Sequence, residues 1–432
     1  MRSKWPVLSL GELTVNHDTK RKPVKEADRR TGPYPYYGAS GVVDHVDGFL
    51  FDGEYLLIAE DGENLRTRNT PVAFRATGRF WVNNHAHIVE GNERARTRYL
   101  EYAILSADLA PYLTGAVMPK LTQGNLNKIQ VPCPPLDEQD AVVDVLGRLD
   151  DRIDLLRQTN ATLESIAQAL FKSWFIDFDP VRAKAEGREP EGMDAATAAL
   201  FPAEFEESAL GLIPKGWAKT ALATLCELTK GCSYKGDGLS DTDGAYMFNL
   251  GCFNAHRVFA TERVKRYTGE YRPRHEVVPG DLIMANTDMT QARDILGRPA
   301  FVPDGFEPGF ISHHVFKVVP KARTSEVAEA IRVYLLFAFQ QPAFRERAIG
   351  FATGTTVLAL PPAAVGECPV CRPGDDTLLL FASRVVPLLR RVRENERLAN
   401  QLTELRDALL PRLISGKLRL PEAQEQLEGA AA

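Results

Sequence analysis

The sequence predicts an α+β protein in which two duplicated α/β domains are separated by a long antiparallel two-helix coiled coil. Three observations predict this class: segments that recur at a steadily growing offset, strand and turn signals at the start of each copy, and a heptad pattern at its end. At 432 residues, the chain also exceeds the length that one hydrophobic core usually organises.

Segments of the first part of the chain recur in the second part. Residues 5–13 match 217–225 at an offset of 212, residues 53–61 match 280–288 at 227, residues 81–85 match 310–314 at 229, and residues 114–115 match 353–354 at 239. The offset grows in one direction only, whereas chance matches would scatter. The pattern therefore indicates a duplicated domain with loop insertions in its second copy.

The first copy opens with strand and turn signals. Residues 55–59 and 80–89 are rich in aromatic and β-branched residues and are bounded by turns such as Asp52-Gly53, so we predict a strand over each range. A further strand is expected over residues 129–131, because Pro132, Pro134 and Pro135 stop it. These signals predict a mixed α/β domain.

A long helix is predicted after each copy. In the first helix, positions that follow one another in alternating steps of three and four are apolar except for Asn160, which is typical of a coiled-coil seam: Leu146, Leu149, Ile153, Leu156, Asn160, Leu163, Ala167, Leu170 and Trp174. The positions 239 residues later are Val385, Leu388, Val392, Asn395, Ala399, Leu402, Arg406, Leu409 and Leu413. The matching stripes make the two helices each other's expected partner. The alternative is one amphipathic helix lying on its own domain.

The expected antiparallel arrangement follows from chain order, because each domain leads into its own helix before the chain crosses to the next domain. Pro387 either kinks the start of the second helix or lies in its first turn.

The predicted segments are a first domain over 1–135, a first spacer helix over 136–177, a linker over 178–215, a second domain over 216–374, a second spacer helix over 375–418, and a flexible tail over 419–432.

The net charge of −5 does not exclude a nucleic-acid partner. Residues 116–215 hold ten Lys and Arg against seventeen Asp and Glu, so the acidic excess lies in one middle segment. No apolar stretch is long enough for a membrane span or a secretory signal, and six scattered cysteines suit a reducing compartment. We therefore expect a cytoplasmic protein with no membrane partner.

Several motifs resemble those of the specificity subunits of type I restriction-modification systems. They are the Pro-Pro-Leu-Asp-Glu-Gln stretch ending at Gln139, the Trp-Phe-Ile-Asp-Phe-Asp-Pro stretch ending at Pro180, and the closing helix with Leu-Ile-Ser-Gly-Lys ending at Lys417. Residues 36–41 and 81–87 also resemble one branch of their target-recognition domains. The likeness runs from Trp5 to about Leu420.

The resemblance implies that each target-recognition domain reads one half of a bipartite site in double-stranded DNA. It also implies that the helices set the spacing between the two domains and dock two methyltransferase subunits. In systems that also cut DNA, two ATP-dependent motor-nuclease subunits join this assembly. We then expect those partners to bind S-adenosylmethionine, and ATP with Mg. No cofactor is expected in this chain. The family's polar turn is present at residues 122–126, but its second copy is Pro-Pro-Ala-Ala-Val at 361–365, where contacts made by the first copy are expected to be lost.

A self-sufficient DNA-modifying enzyme is one alternative function, and a coiled-coil scaffold without DNA binding is another. The sequence has no G-x-x-x-x-G-K-[ST] phosphate loop and no G-x-G-x-x-G turn, so we predict a chain with no catalytic site. The pairs Cys368/Cys371 and His85/His87 could bind a metal, but each lacks further ligands in sequence. Residues 368–371 fit a strand end better, and no metal site is predicted. Under the enzyme alternative, the candidate catalytic carboxylate pairs would be Asp288 with Asp294, or Glu60 with Asp61.

DNA contacts are expected from Lys and Arg on phosphates, and from Arg, Lys, Asn and Gln on base edges. In the first domain the candidates are Lys20, Arg21, Lys22, Arg66, Arg68, Arg79, Asn83 and Asn84. In the second domain they are Lys265, Arg266, Tyr267, Arg272, Arg274, Asn286, Thr287, Gln291 and Arg293.

Overall fold

The computed structural model describes residues 5–208, 211–253, 259–289, 293–354, 357–418 and 422. It divides into two compact units, the first formed by residues 1–157 and 396–432 and the second by residues 158–395. Helices and strands are both abundant, as the predicted α+β class requires. No helix within the described ranges has the length and apolar character that crossing a bilayer demands. The predicted tail over 419–432 lies outside the described residues except for Glu422.

The first unit is built on a six-stranded sheet with the strand order β2-β7-β5-β6-β3-β4. Its strands are β1 Val7–Ser9, β2 Thr14–Asn16, β3 Thr31–Gly38, β4 Gly41–Val46, β5 Phe51–Ala59, β6 Ala73–Val82, β7 Ala86–Gly91 and β8 Gln130–Pro132. Its helices are α1 Leu10–Leu13, α2 Asn64–Thr67, α3 Thr97–Ser106, α4 Gln123–Leu126 and the first part of α5 Leu136–Phe175. Strands β1 and β8 form a separate antiparallel pair.

The single strand predicted over residues 80–89 is wrong, because the structure has two strands there with a turn at residues 83–85. The physical reason is local. The Asn83 side chain accepts a hydrogen bond from the His85 backbone N–H at 2.8 Å, and this closes a turn that asparagine favours. The polar side chains of Asn84 and His85 are exposed at its tip.

Helix α3 and the first part of α5 pack on one face of this sheet in a common core with the end of α12 (Asp375–Ile414). The Tyr102 hydroxyl donates to the Asp150 carboxylate at 2.6 Å, and Arg406 pairs with the same carboxylate at 2.9 Å. Gln139 is fully buried and donates to the carbonyls of Arg94 and Pro134. These polar contacts fix the start of α5 against the domain.

The second unit contains a four-stranded sheet in the order β12-β21-β17-β19 and a five-stranded sheet in the order β13-β15-β14-β20-β16. Its strands are β9 Phe205–Ser208, β10 Gly211–Pro214, β11 Ala218–Ala221, β12 Cys226–Lys230, β13 Leu239–Ser240, β14 Ala245–Phe248, β15 Lys265–Tyr267, β16 Glu276–Val277, β17 Leu282–Ala285, β18 Thr287–Asp288, β19 Pro299–Phe301, β20 Gly309–Ile311, β21 Val315–Pro320, β22 Leu358–Ala359 and β23 Pro369–Arg372. Its helices are α6 Asp179–Ala185, α7 Ala195–Ala199, α8 Leu222–Leu225, α9 Ser325–Gln340, α10 Pro342–Gly350 and α11 Pro362–Gly366, with the end of α5 and most of α12.

The segment predicted as a linker over 178–215 is ordered into two short helices and the β9-β10 hairpin. Val181 and Phe201 belong to the same buried cluster as Trp174 and Trp217. The Gly and Pro residues interrupt long elements, as the sequence suggested, but the apolar side chains between them pack into the core of the second unit.

Within the second unit, the end of α5 and the start of α12 run antiparallel. Asn160 donates to the Val392 carbonyl at 3.0 Å and accepts from the Asn395 side chain at 2.8 Å, while Phe171 contacts Phe381 farther along. Residue numbers thus rise on one helix as they fall on the other. Every seam residue named from the sequence, in either unit, is buried or half-buried. Helix α12 begins at Asp375, so Pro387 lies in the helix interior and not in the first turn.

The polar turn at residues 122–126 and its apolar counterpart at 361–365 differ in their caps, as expected. Thr122 caps α4 by accepting the Asn125 backbone N–H, whereas α11 follows Pro361 and has no side-chain cap. Leu126 and Val365 are both buried. The segment at 361–365 therefore has the buried apolar contact of residues 122–126 without their capping hydrogen bond.

Candidate nucleic-acid interface

A polar turn between β6 and β7 presents side chains at the surface of the first unit. The Asn83 backbone N–H donates to the Tyr37 carbonyl at 3.0 Å, and the Glu60 N–H donates to the His85 carbonyl at 2.9 Å. These bonds fix the turn to β3 and to the end of β5. His85 Nδ1 lies 2.9 Å from the Asp61 carboxylate, and Asn84 next to it is exposed.

A turn with the same backbone bonds joins β20 and β21 in the second unit. The Ser312 N–H donates to the Phe248 carbonyl at 2.9 Å, and the Asn286 N–H donates to the His314 carbonyl at 2.9 Å. Thr287 Oγ1 lies 2.8 Å from His314 Nδ1. The first unit presents Asn84 and His85 on this backbone scaffold, and the second presents His313 and His314.

A buried charge network supports the turn in the first unit. Arg21 pairs with Glu60 at 2.7 Å and with Asp18 at 3.4 Å, and it also donates to the Ala86 carbonyl. Asp18 accepts from His87 at 2.6 Å, and the other ring nitrogen of His87 lies 2.7 Å from the Leu121 carbonyl oxygen. The network holds β7, the loop around Arg21 and the end of β5 together.

Asp18 is the most enclosed acid of this network, with its side chain 6% exposed. Burial alone would raise its pKa, but the hydrogen bond and charge interaction with His87, the Ile88 N–H and the charge of Arg21 outweigh burial. They hold the pKa of Asp18 below its usual 3.8. The pKa of Glu60 is lowered in the same way: Arg21, His87 and Lys120 overcome the effect of burial.

We expect Asp18→Asn to destabilise the protein at pH 7 by about 3–5 kcal/mol, because it leaves a buried arginine without one of its anions. A carboxyl whose pKa is lowered on folding contributes stability above its ordinary pKa and loses it as pH falls through the folded pKa. The wild type should therefore lose this contribution below about pH 4, and the variant should show a flatter acid limb. Urea unfolding at pH 7 and at several pH values from about 4 down to about 2.5 measures both effects.

Asp52→Asn is the matched control, because Asp52 pairs with Arg79 at 3.0 Å while both side chains are 56% exposed. Its expected effect is below about 1 kcal/mol at either pH. Equal effects of the two substitutions would show that the buried network does not stabilise the turn.

A second exposed loop, over residues 115–119, lies beside the polar turn and was missed by the sequence reasoning. Thr114 and Lys120 pair through two backbone bonds, and Gly115 has a φ of +87° with the Met118 carbonyl so close that a Cβ would clash. Val117 is 93% exposed, and Lys120 pairs with Glu60 at 3.2 Å. The repeated Thr-Gly at 114–115 and 353–354 was the available signal, since Thr353 and Ala359 make the equivalent bonds.

Six predicted residues of the first domain have side chains that reach solvent. Lys20, Lys22 and Asn84 are exposed, while Arg79 pairs with Asp52. Arg66 donates to the Gly115 carbonyl, and Arg68 donates to the carbonyls at the end of α3. Arg66 and Arg68 therefore shape the exposed loops as well as contributing charge near them.

Four of the residues predicted in the second domain are exposed, and Arg266 is half-buried against an aromatic ring. Lys265, Arg272, Arg274 and Arg293 are exposed, whereas Arg266 lies over the Tyr246 ring at 4.0 Å. Gln291 lies outside the described residues. Arg272 and Arg274 line one cavity, so the structure brings this pair together.

Five predicted contact residues are largely enclosed by the fold, unlike the solvent-facing side chains that the sequence analysis expected: Arg21, Asn83, Tyr267, Asn286 and Thr287. Arg21 is held in the charge network, and Asn83 closes the turn. Tyr267 packs between β13 and β14, and Thr287 contacts His314. In each case internal hydrogen bonds or packing occupy the side chain that the sequence assigned to DNA.

The residues considered for metal or catalytic chemistry have separate partners. His85 pairs with Asp61, His87 faces Asp18, and Asp288 accepts the Ile295 N–H. Cys371 lies in strand β23, which pairs with β11, so the strand predicted there is present. Within the described part of the chain, no three His, Cys, Asp or Glu side chains are grouped as metal ligands.

Comparison with known proteins points to one family. The family model of the type I restriction modification DNA specificity domain matches residues 2–165. A putative type I restriction enzyme specificity subunit of Haemophilus influenzae is 41% identical over 146 residues, and the match covers 34% of this chain and 37% of that relative's length. The type I restriction enzyme HindI specificity subunit of the same species is 27% identical over 348 residues, or 69% of this chain and 71% of the relative.

A solved structure has the same fold. The crystal structure of the S subunit of a type I restriction-modification system from M. genitalium matches with a TM-score of 0.57 at 14% identity, and the match covers 95% of this chain and 96% of that one. The sequence motifs, the family model and the relatives agree. Residues 2–165 of this chain therefore match the type I restriction modification DNA specificity domain, and a larger part of the chain is similar to type I restriction enzyme specificity subunits.

Proposed function

We propose that this chain gives a type I restriction-modification complex its DNA sequence specificity, with one target-recognition domain for each half of a bipartite site. One observation carries the proposal: the turns at 83–85 and 312–314 are held by the same backbone bonds but present different side chains. A repeated backbone arrangement that carries different polar side chains suits the reading of two different half-sites, since base edges are distinguished by side-chain donors and acceptors.

The two long helices are proposed to form an antiparallel coiled coil that spaces the domains. Helices α5 and α12 each run for 40 residues, and the buried Asn160–Asn395 pair fixes their register within the second unit. Two domains that read one face of B-DNA must lie near one helical turn or a simple multiple apart. A continuous helical spacer would hold that separation.

The chemistry of the complex is proposed to lie on partner subunits. The chain lacks the phosphate loop that ATP hydrolysis needs in sequence. We therefore assign methyl transfer from S-adenosylmethionine to two methyltransferase subunits docked on the helices. Where restriction occurs, ATP with Mg is assigned to two motor-nuclease subunits. This chain supplies DNA contacts and spacing.

Methylome sequencing of cells that carry this chain with its partner subunits tests the proposed function. We expect one new motif with two specific half-sites and an unread spacer, which disappears when the gene for this chain is removed. Loss of the motif on removal of the methyltransferase gene alone assigns the chemistry to the partner. A single continuous motif, or methylation that survives without this chain, would refute the proposed function.

A further inference from the structure

A cavity of about 460 Å³ opens in the second unit beside the His313–His314 turn, because the His313 N–H donates to the carbonyl of the lining residue Cys232 at 2.8 Å. It lies between the chain that follows β12 and the segment before β16. The lining residues are Gly231, Cys232, Ser233, Glu270, Tyr271, Arg272, Arg274 and His275. Its volume is within the range of small-ligand sites in proteins.

The cavity is basic and its arginines are not neutralised by the fold. Arg272 and Arg274 are both exposed, and neither forms an ion pair with a carboxylate among the described residues. In the first unit, by contrast, Arg21, Arg75 and Arg79 are each paired with an acid. Glu270 is an acidic residue of the lining. Two positive charges thus face a space in which one acid is present.

His275 adds an unused hydrogen-bond donor to the same cavity. The residue is 3% exposed, its Nε2 accepts from Arg274 Nε at 3.1 Å, and its Nδ1 has no partner. Burial and the charges of Arg274 and Arg272 lower the pKa of His275, which favours the neutral ring. Because Nε2 accepts, the neutral ring carries its proton on Nδ1. An unpaired buried donor of this kind destabilises the free protein, and a bound acceptor would remove that cost.

The segment that carries these side chains is fixed by aromatic stacking. The Tyr271 ring lies parallel to the Phe310 ring, with centroids 4.3 Å apart and planes 4° apart, and Phe310 belongs to β20. Pro273–His275 then forms a short 3-10 turn. Arg272 and Arg274 are therefore attached to a backbone that is already positioned, which lowers the entropy that a ligand must overcome.

We propose that this cavity binds a phosphate group through Arg272, Arg274 and the Nδ1–H of His275. Guanidinium groups match the geometry and charge of phosphate, and a neutral N–H donor completes the oxygen contacts. Resting on the proposed function, we assign the phosphate to the DNA backbone at the half-site read by the second unit. A free phosphate or mononucleotide presents the same chemistry and is the alternative source.

The first test measures the affinity of the full chain for a duplex that carries its motif, at several salt concentrations, by fluorescence anisotropy. Each phosphate contact contributes about 0.9 to the slope of log affinity against log salt. We expect Arg272→Gln and Arg274→Gln each to weaken binding and to reduce that slope, and the double substitution to reduce it by about 0.9, the contribution of the one phosphate that both arginines contact. Arg323→Gln is the control, because Arg323 is exposed in the same unit but does not line the cavity, and its slope should be unchanged.

Neutral methylphosphonate linkages, placed one at a time along the duplex, then locate the phosphate. A neutral linkage at one position of the second half-site should weaken DNA binding by the wild type. The same linkage should not weaken binding by the Arg274→Gln variant any further, because that variant has already lost the contact. Unchanged slopes in both arginine variants, with DNA binding otherwise intact, would overturn the assignment to the DNA backbone.

Calorimetric titration of the full chain with inorganic phosphate and with AMP separates the two sources. Binding that is lost in Arg274→Gln, together with unchanged salt slopes, would assign the cavity to a free phosphate ligand. No phosphate binding and no change in slope would refute the proposal in both forms. If the wild-type chain binds no duplex in its assembled complex, the proposed function fails, and the calorimetry still decides whether the cavity takes phosphate.

Discussion

Insertion of seven residues into each long helix is expected to abolish methylation of the original motif and to move it to a motif with a longer spacer. The insertions go between Arg157 and Gln158 in α5 and between Asn395 and Glu396 in α12, where the two compact units meet along the chain. Seven residues add about 10.5 Å of helix, which corresponds to about three base pairs. Both half-sites should stay the same.

The choice of one heptad in each helix protects the internal structure of each unit. Asp150 with Arg406 stays within the first unit, and Asn160 with Asn395 stays within the second. A full heptad also preserves the seam, with a drift of about 20°. Three base pairs turn the duplex by more than this drift, so we expect methylation at the longer spacer to be weaker than in the wild type.

The control adds the same seven residues after Gly187, where the glycine is exposed and no atom lies within 4 Å of an added Cβ. Its motif should be unchanged. Copurification with the methyltransferase subunit verifies assembly in both variants. Methylation of the original motif at the wild-type level by an assembled complex with lengthened helices would show that the helices do not set the spacing.

The heptad pattern and the internal repeat could be recognised in the sequence because both are periodic. Steps of three and four place residues such as Leu146 and Leu149 on one helix face whatever the rest of the fold does, and both are buried in the first unit. The repeat at residues 81–85 and 310–314 likewise falls on turns with equivalent backbone bonds. Periodic signals of this kind depend on local geometry alone.

The partners of individual polar side chains could not be predicted in this way. Arg21 looks like an ordinary member of a basic cluster, yet it is enclosed by Glu60 and Asp18, which lie 39 residues later and 3 residues earlier in the chain. Asn286 resembles a loop side chain but is 1% exposed. Whether a charged or amide group faces solvent is decided by long-range packing, which composition and spacing do not report.

The segment over 178–215 shows the same limit for the fold. Its Gly and Pro residues mark real breaks, but Phe201 is fully buried and contacts Trp174 and Trp217. Breakers indicate where regular elements end, and they carry no information about what the residues between them pack against. The exposed loop around Val117 was missed for a related reason, because an apolar residue in a sequence is expected to be buried.

Exchange of one domain tests the proposal that each domain reads its own half-site. Residues 1–135 are replaced by the corresponding residues of a relative whose own motif has been determined, and the methylome of cells with the hybrid and its partner subunits is sequenced. We expect one half-site to become that of the relative, while the other half-site and the spacer remain those of this chain. A change in both half-sites, or in neither while methylation persists, would contradict it.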